Sequence, residues 1–201
     1  MAAVTTFPFN FRKALAALTF VASQPSKIVW PFDKYRAVKL LFLAERDHLI
    51  RYGRPIFGDY YKALPWGPVP QTILDILHQV EDDNIRDEEA RQTAEAIGIS
   101  AVEGHGYPCF VAKREPDFAV LSRSDLRILE DVCHRYGRLS FEELSAITHQ
   151  IAAYQRAWAG RGDAQAARMR IEDLFEDPNA TPGALEEMLE DVAVRRTYSE
   201  R

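Results

Sequence analysis

The chain has 201 residues, 47% of them apolar, and a formal net charge of -5. That length fits one compact domain, or a domain with a small appendage, and suffices to bury a substantial core. The acidic balance excludes a protein that coats nucleic acid with a positive surface, though not one with a local basic patch.

At the start of the chain, Phe7, Phe9 and Phe11 precede Arg12 and Lys13, and the apolar run from Leu15 to Ala22 follows. A signal peptide carries its charges first and a longer, cleaner apolar segment after them, and this run is too short to span a bilayer. A cytoplasmic protein is therefore expected. Asn10 is a helix cap for residues 10–23, with Leu15, Leu18 and Val21 or Ala22 on one apolar face. Asp33 caps a second helix running to about Ile50. The apolar block Leu40–Leu43 widens its face and predicts a central position.

Residues 56–66 read as a strand or an extended loop, and Trp66 to Pro70 as a rigid turn in which each proline fixes its own φ. A helix from about Gln71 to Gln79 follows, then a charged loop and a polar helix over 81–95. Residues 97–111 predict two short strands around a turn at Glu103–Tyr107. Ser122 with Asp125, and Ser140 with Glu143, have the capping-box spacing, so two helices joined around Gly137 form an αα unit. Helix is expected to continue over 149–159. A short helix is expected at Met169–Phe175, a last one from Pro182 to about Arg195, and a frayed end at 197–201.

Chemistry-bearing patterns are sparse. His48, His78, His105, His134 and His149 form no zinc-binding spacing. Cys109 and Cys133 read as small buried hydrophobes. No phosphate-binding glycine fingerprint is present. Glu45 and Asp47 are the carboxylates most in need of partners, because their helix is central. Arg46 and Arg51 are the nearest candidates. As a helix-turn-helix, the αα unit is poor: its arginines are balanced by acidic residues, and its second helix opens on Glu142 and Glu143. What stands out is a cluster of aromatics and prolines, with Phe57, Tyr60, Tyr61 and Trp66 among Pro65, Pro68 and Pro70. Such rigid aromatics either pack a crossing segment into the core or anchor an interface.

The stretch from Lys39 to Pro70 resembles the opening of the Panacea domain of SocA-like antitoxins. It has a Lys-Leu-Leu helix, a Gly-Arg-Pro-Ile turn, and an Ala-x-x-x-Gly-Pro-Val segment at Ala63–Val69 in which Pro65 departs from the pattern. Leu121 to Asp125, Ser140 with Leu144 and Ser145, and Thr148-His149 followed by Tyr154, Ala157 and Trp158 are similar to later motifs of that family. The resemblance runs over about residues 30–175. It implies a mainly α, multi-helix single domain with a small β-hairpin or short antiparallel sheet. Residues 1–29 are expected as an N-terminal helix and linker, 30–178 as the domain, and 179–201 as a C-terminal helix packed on it.

In function the resemblance implies an antitoxin without catalysis or cofactor. Its partner would be a cognate toxin, bound directly. The alternatives are an adaptor that delivers a partner to a ClpXP-type protease, and a helix-turn-helix-like regulator. Nucleic acid and membrane are not expected partners, and self-association is left open. Gly67, Pro68, Val69 and His149 carry over as structural hallmarks, with His149 expected to bridge the Gly67–Pro68 turn to the αα unit by hydrogen bonding. Phe57, Tyr60, Tyr61 and Trp66 are the expected partner-binding residues, with the N-terminal helix beside them.

Overall fold

The computed structural model describes residues 6–199. These residues form a mainly helical fold with two small antiparallel sheets. The first helix, α1 (Phe11–Ala22), starts where Asn10 accepts a bond from the Lys13 backbone N–H. It is buried all along Ala14–Val21 rather than on one face. The expectation of a one-sided helix available for an interface is thereby corrected: only its first turn and Ala22 at its end reach the surface. Alanines at 14, 16 and 17 let neighbouring elements approach it closely from several sides.

The fold is organised around α2 (Lys34–Tyr52), which Asp33 caps and Gly53 ends in a left-handed conformation. Every residue from Arg36 to Glu45 is buried, which places this helix in the core. Its partners include α1, α3 (Gln71–Glu81), α5 (Arg123–Tyr136) and α6 (Phe141–His149). The last helix, α8 (Ala184–Ser199), also packs on α2, with Met188 fully buried. The end expected to fray is helical as far as Ser199, and 200–201 lie outside the described residues.

Strands β1 (Tyr61–Leu64) and β2 (Gly67–Pro70) form a hairpin joined by Pro65 and Trp66. The segment read as a rigid turn is thus mostly strand, and the turn itself is two residues long. Its prolines are tolerated because β2 is an edge strand. The other edge is β5 (Ala167–Arg168), which pairs with β1. A helix was expected just here, over Met169–Phe175. Instead Met169 follows strand β5 and its N–H donates to the Tyr61 carbonyl at 2.9 Å, and both Met169 and Ile171 are buried. The 3-10 turn Glu172–Glu176 follows.

A second ribbon pairs β3 (Ile97–Ser100) with β4 (Cys109–Ala112), beyond the polar helix α4 (Glu88–Ala96), as the alternating pattern predicts. Both capping boxes of the αα unit are present, at Ser122–Asp125 and Ser140–Glu143. The helix expected over 149–159 is broken at Gln150–Ile151, and α7 (Ala152–Ala159) sets off anew. The break carries Tyr154 to the hairpin, where its hydroxyl donates to the Leu64 carbonyl at 3.0 Å. Among the described residues no helix is long and apolar enough to cross a membrane.

Candidate functional site

The β1–β2 hairpin is pinned from beneath by charged and polar groups that are costly to bury. Lys39 projects from the second turn of α2 and is 1% exposed; its Nζ donates to the Pro68 carbonyl at 2.8 Å. Burial drives its pKa well below the ordinary lysine value. The Tyr35 ring, 5.2 Å from the ammonium, adds a favourable electrostatic contact. Above Lys39 lies Gly67, with φ +99. A Cβ there would stand 2.8 Å from Thr148 Oγ1, 2.9 Å from Lys39 Nζ and 3.2 Å from His149 Cδ2. Gly67 is therefore required both by its backbone angle and by the close approach of α2 and α6.

His149 stacks on Tyr154 with ring centroids 4.6 Å apart, and its Nε2 is 3.5 Å from Ser145 Oγ. Burial, and then the charge of Lys39, lower its pKa. Its contact with the turn is one of packing. The hydrogen bond expected from His149 to the Gly67–Pro68 turn is made instead by Lys39, which occupies the space directly beneath the carbonyl.

This support fixes the position of Trp66. Its side chain is 63% exposed, at the tip of a hairpin held by α2, α6 and α7. The Trp66 ring meets Phe141 edge-on at 5.5 Å, and Phe141 meets Tyr35 at 4.3 Å. The Tyr35 hydroxyl lies 3.5 Å from the carbonyls of both Trp66 and Phe141, long for hydrogen bonds. These rings line a cleft of about 950 Å³ together with His105 and Tyr107 from the β3–β4 loop. Tyr107 is 71% exposed. An exposed Trp on a fixed backbone, with further aromatics around a concave surface, has the composition of an interface anchor.

A second group of buried carboxylates holds the entry to the hairpin. Glu45 is fully buried. Oε1 accepts from the Phe57 N–H at 2.6 Å, and Oε2 from the Tyr61 hydroxyl at 2.6 Å and the Gly58 N–H at 3.2 Å. Burial raises its pKa to about 7 against the pull of those donors. Asp59 accepts from the backbone of Tyr60, Thr72 and Ile73 and from the Thr72 hydroxyl, capping α3, whose own cap residue Pro70 offers no side-chain acceptor. Asp47, the other carboxylate expected to need a partner, bonds Arg46 at 2.7 Å and Arg135 at 2.5 Å. Arg51 reaches Asp131 instead, at 3.9 Å.

The expected partner-binding residues are divided by the structure. Phe57 and Tyr61 are each 1% exposed: Phe57 packs edge-on against Phe9, and Tyr61 is bonded to Glu45. They are core residues, which corrects their placement on a surface. Tyr60 and Trp66 remain exposed, but at opposite ends of the hairpin, a strand length of roughly 13 Å apart. Tyr60 lies beneath the cations of Lys62 and Arg168. Gly67, Pro68 and Val69 line the buried strand β2.

Sequence reasoning missed Tyr35, Phe141 and Tyr107 as companions of Trp66, because they come from three distant segments. Lys39 did leave a signal: a lone lysine inside the apolar run from Val38 to Leu43. Among the described residues no cluster of His, Cys, Asp or Glu is placed to hold a metal ion. On the αα unit, Arg135 is committed to Asp47 and Asp131, and α6 opens on two glutamates, an arrangement that repels phosphate.

The family model described as antitoxin SocA-like, Panacea domain, matches residues 38–155. That stretch holds Lys39, the hairpin, Thr148, His149 and Tyr154. No curated protein and no solved structure matches the chain.

Proposed function

We propose, from the premise that the chain belongs to the SocA-like Panacea-domain family, that it is the antitoxin of a bacterial or phage toxin–antitoxin pair and neutralises its toxin by binding it directly. The observation that carries the reading is the rigid presentation of Trp66 at the edge of an aromatic cleft. Burying Lys39 against a single carbonyl is a poor way to stabilise a fold, since an apolar residue there would avoid the desolvation cost. It is a good way to hold a turn in place. A side chain fixed before association loses less entropy on binding, so the aromatic anchor yields more affinity.

A stable complex would bury roughly 1,200–2,000 Å² in total, far more than Trp66 alone supplies, so the surrounding cleft belongs to the same contact. Co-expression with the product of the adjacent gene tests the reading. A stoichiometric complex and restored growth support it. Growth restored by loss of the toxin rather than by a stable complex would move the activity to proteolytic delivery. Absence of both the complex and the rescue would refute it.

A further inference from the structure

We infer that the cleft beside Trp66 docks a partner peptide segment that carries an aromatic side chain next to a carboxylate. The inference rests on the reading that this chain works by binding another protein, and it specifies the chemistry of what enters.

The aromatic half follows from the walls. Tyr35, Trp66, Phe141 and Tyr107 surround a volume large enough for more than one side chain. Aromatic pairs gain beyond area burial when they meet edge to face, and Trp66 and Phe141 line the cleft while remaining exposed.

The carboxylate half follows from Arg36, which also lines the cleft and is only 6% exposed. Its Nη1 donates to the Gly137 carbonyl at 3.1 Å, while its Nε is buried with no hydrogen-bond partner among the described residues. Burial lowers its pKa, against the pull of the nearby Asp33 charge. The cleft's own carboxylates are engaged elsewhere. Asp33 accepts the backbone N–H of Arg36 as the α2 cap and lies 3.0 Å from His105 Nε2, and Glu81 pairs with Lys34. A buried guanidinium with an unspent Nε–H calls for an anion, and a planar carboxylate fits its fork. The charges of the lining balance, with Asp33 and Glu81 against Lys34 and Arg36. Affinity is therefore expected mainly from the aromatic anchor, and register from the carboxylate. The residues from Pro31 to Arg36 precede the stretch that the family model matches, so this chemistry is read from the chain itself.

The test uses the full-length protein and a random nonamer peptide library displayed on phage. Selection should enrich peptides with Phe, Tyr or Trp within two positions of Asp or Glu. The best binder is then synthesised in three forms: as selected, with its acid changed to the amide, and with its aromatic changed to Ala. Titration against the wild type, R36Q and W66A follows, with folding checked by circular dichroism. W66A should weaken the selected peptide by about tenfold or more, as loss of an interface anchor does. R36Q should weaken it by about tenfold, yet leave the amide form unchanged, because the charge-assisted bond is absent there already. That non-additivity distinguishes pairing from a general disturbance of the cleft. R36K, which keeps the charge, should lie between the two.

Enrichment of peptides without an acid, no enrichment, or equal weakening of acid and amide forms by R36Q would overturn the inference. So would a peptide-blocking dimer, which would make a second copy of the chain the occupant. Because selection needs no toxin, peptide capture without growth rescue would refute the antitoxin reading alone. Rescue without acidic aromatic peptides would refute this inference alone.

Discussion

Lys39 and Pro68 are joined across 2.8 Å by a bond from the lysine ammonium to the proline carbonyl, on a side chain 1% exposed. The pairing separates two quantities usually lost together, the stability of the fold and the fixing of a surface. K39M keeps the length of the side chain and removes the charge. Lys39 titrates lower in the folded state than unfolded, so the unfolded chain binds the extra proton. Wild-type stability should thus rise with pH between the depressed folded value and the unfolded one near 10.5. K39M should abolish that rise. At pH 7 its stability in urea should equal or exceed the wild type, to within about 1 kcal/mol on the low side. Partner binding through Trp66 should fall, because the turn has lost its tether.

Glu45 makes a prediction of opposite sign. Its folded pKa of about 7 lies above the ordinary value of 4.5, because burial outweighs the bonds from Tyr61, Phe57 and Gly58. The folded state therefore holds the proton that the unfolded state releases. The stability tied to this proton is complete below about pH 4.5 and is lost as pH rises through 7. His149, lowered by burial and by Lys39 from the ordinary imidazole value, acts the other way, so the informative quantity is the difference between wild type and E45Q. The difference in unfolding free energy should shift in favour of E45Q by about 2–4 kcal/mol from pH 4.5 to pH 8, and a flat difference would contradict the assignment.

Gly67 admits no side chain. G67A must hold an alanine at φ +99 and press its Cβ to 2.8 Å from Thr148 Oγ1. A loss of about 1–3 kcal/mol is expected from the backbone angle and the clash together, read as a fall in the midpoint of thermal unfolding. G67A combined with T148S, which leaves the hydroxyl in place, should recover little.

Much of this architecture is legible in the residues. Asn10, Asp33, Ser122 and Ser140 announce their helices, since capping is a local event written in one side chain and the residue three places on. The central helix is legible from Leu40–Leu43, although the length of its buried stretch is not. The failures are long-range. Whether Met169 starts a helix or follows a strand depends on a bond to Tyr61, more than one hundred positions away. Phe57 and Tyr61 look like surface anchors until Glu45, on another element, draws the backbone of one and the hydroxyl of the other inward. The site is harder still to read, because Tyr35, Trp66, Tyr107 and Phe141 are neighbours only in space.

Asp125 should be the most costly single acid to remove. It is fully buried. Oδ2 accepts from Lys13 Nζ at 2.8 Å and the Ser122 N–H at 2.9 Å, and Oδ1 lies 3.1 Å from His48 Nε2 and from Arg54 Nη1. One carboxylate thus ties α1, α2, the turn after α2 and α5. Burial opposes its ionisation, but the bonds from His48, Lys13 and Ser122 win and hold its pKa well below the usual range. Its stability is present above pH 3.8 and lost as pH falls further. D125A should cost about 3–5 kcal/mol at pH 7, by stranding buried charge. Equilibrium denaturation at pH 7 measures it.

The central claim is that this chain silences its partner by gripping it through the lip of the cleft. The most direct measurement is affinity for the purified product of the adjacent gene, made with the wild type, W66A and I85A, the last an exposed residue on the α3–α4 connection. W66A should weaken the complex by about 2 kcal/mol or more, as anchors do, and should cost growth protection in the same strain. I85A should bind as the wild type does. Equal affinity and equal protection for W66A and the wild type would contradict the account.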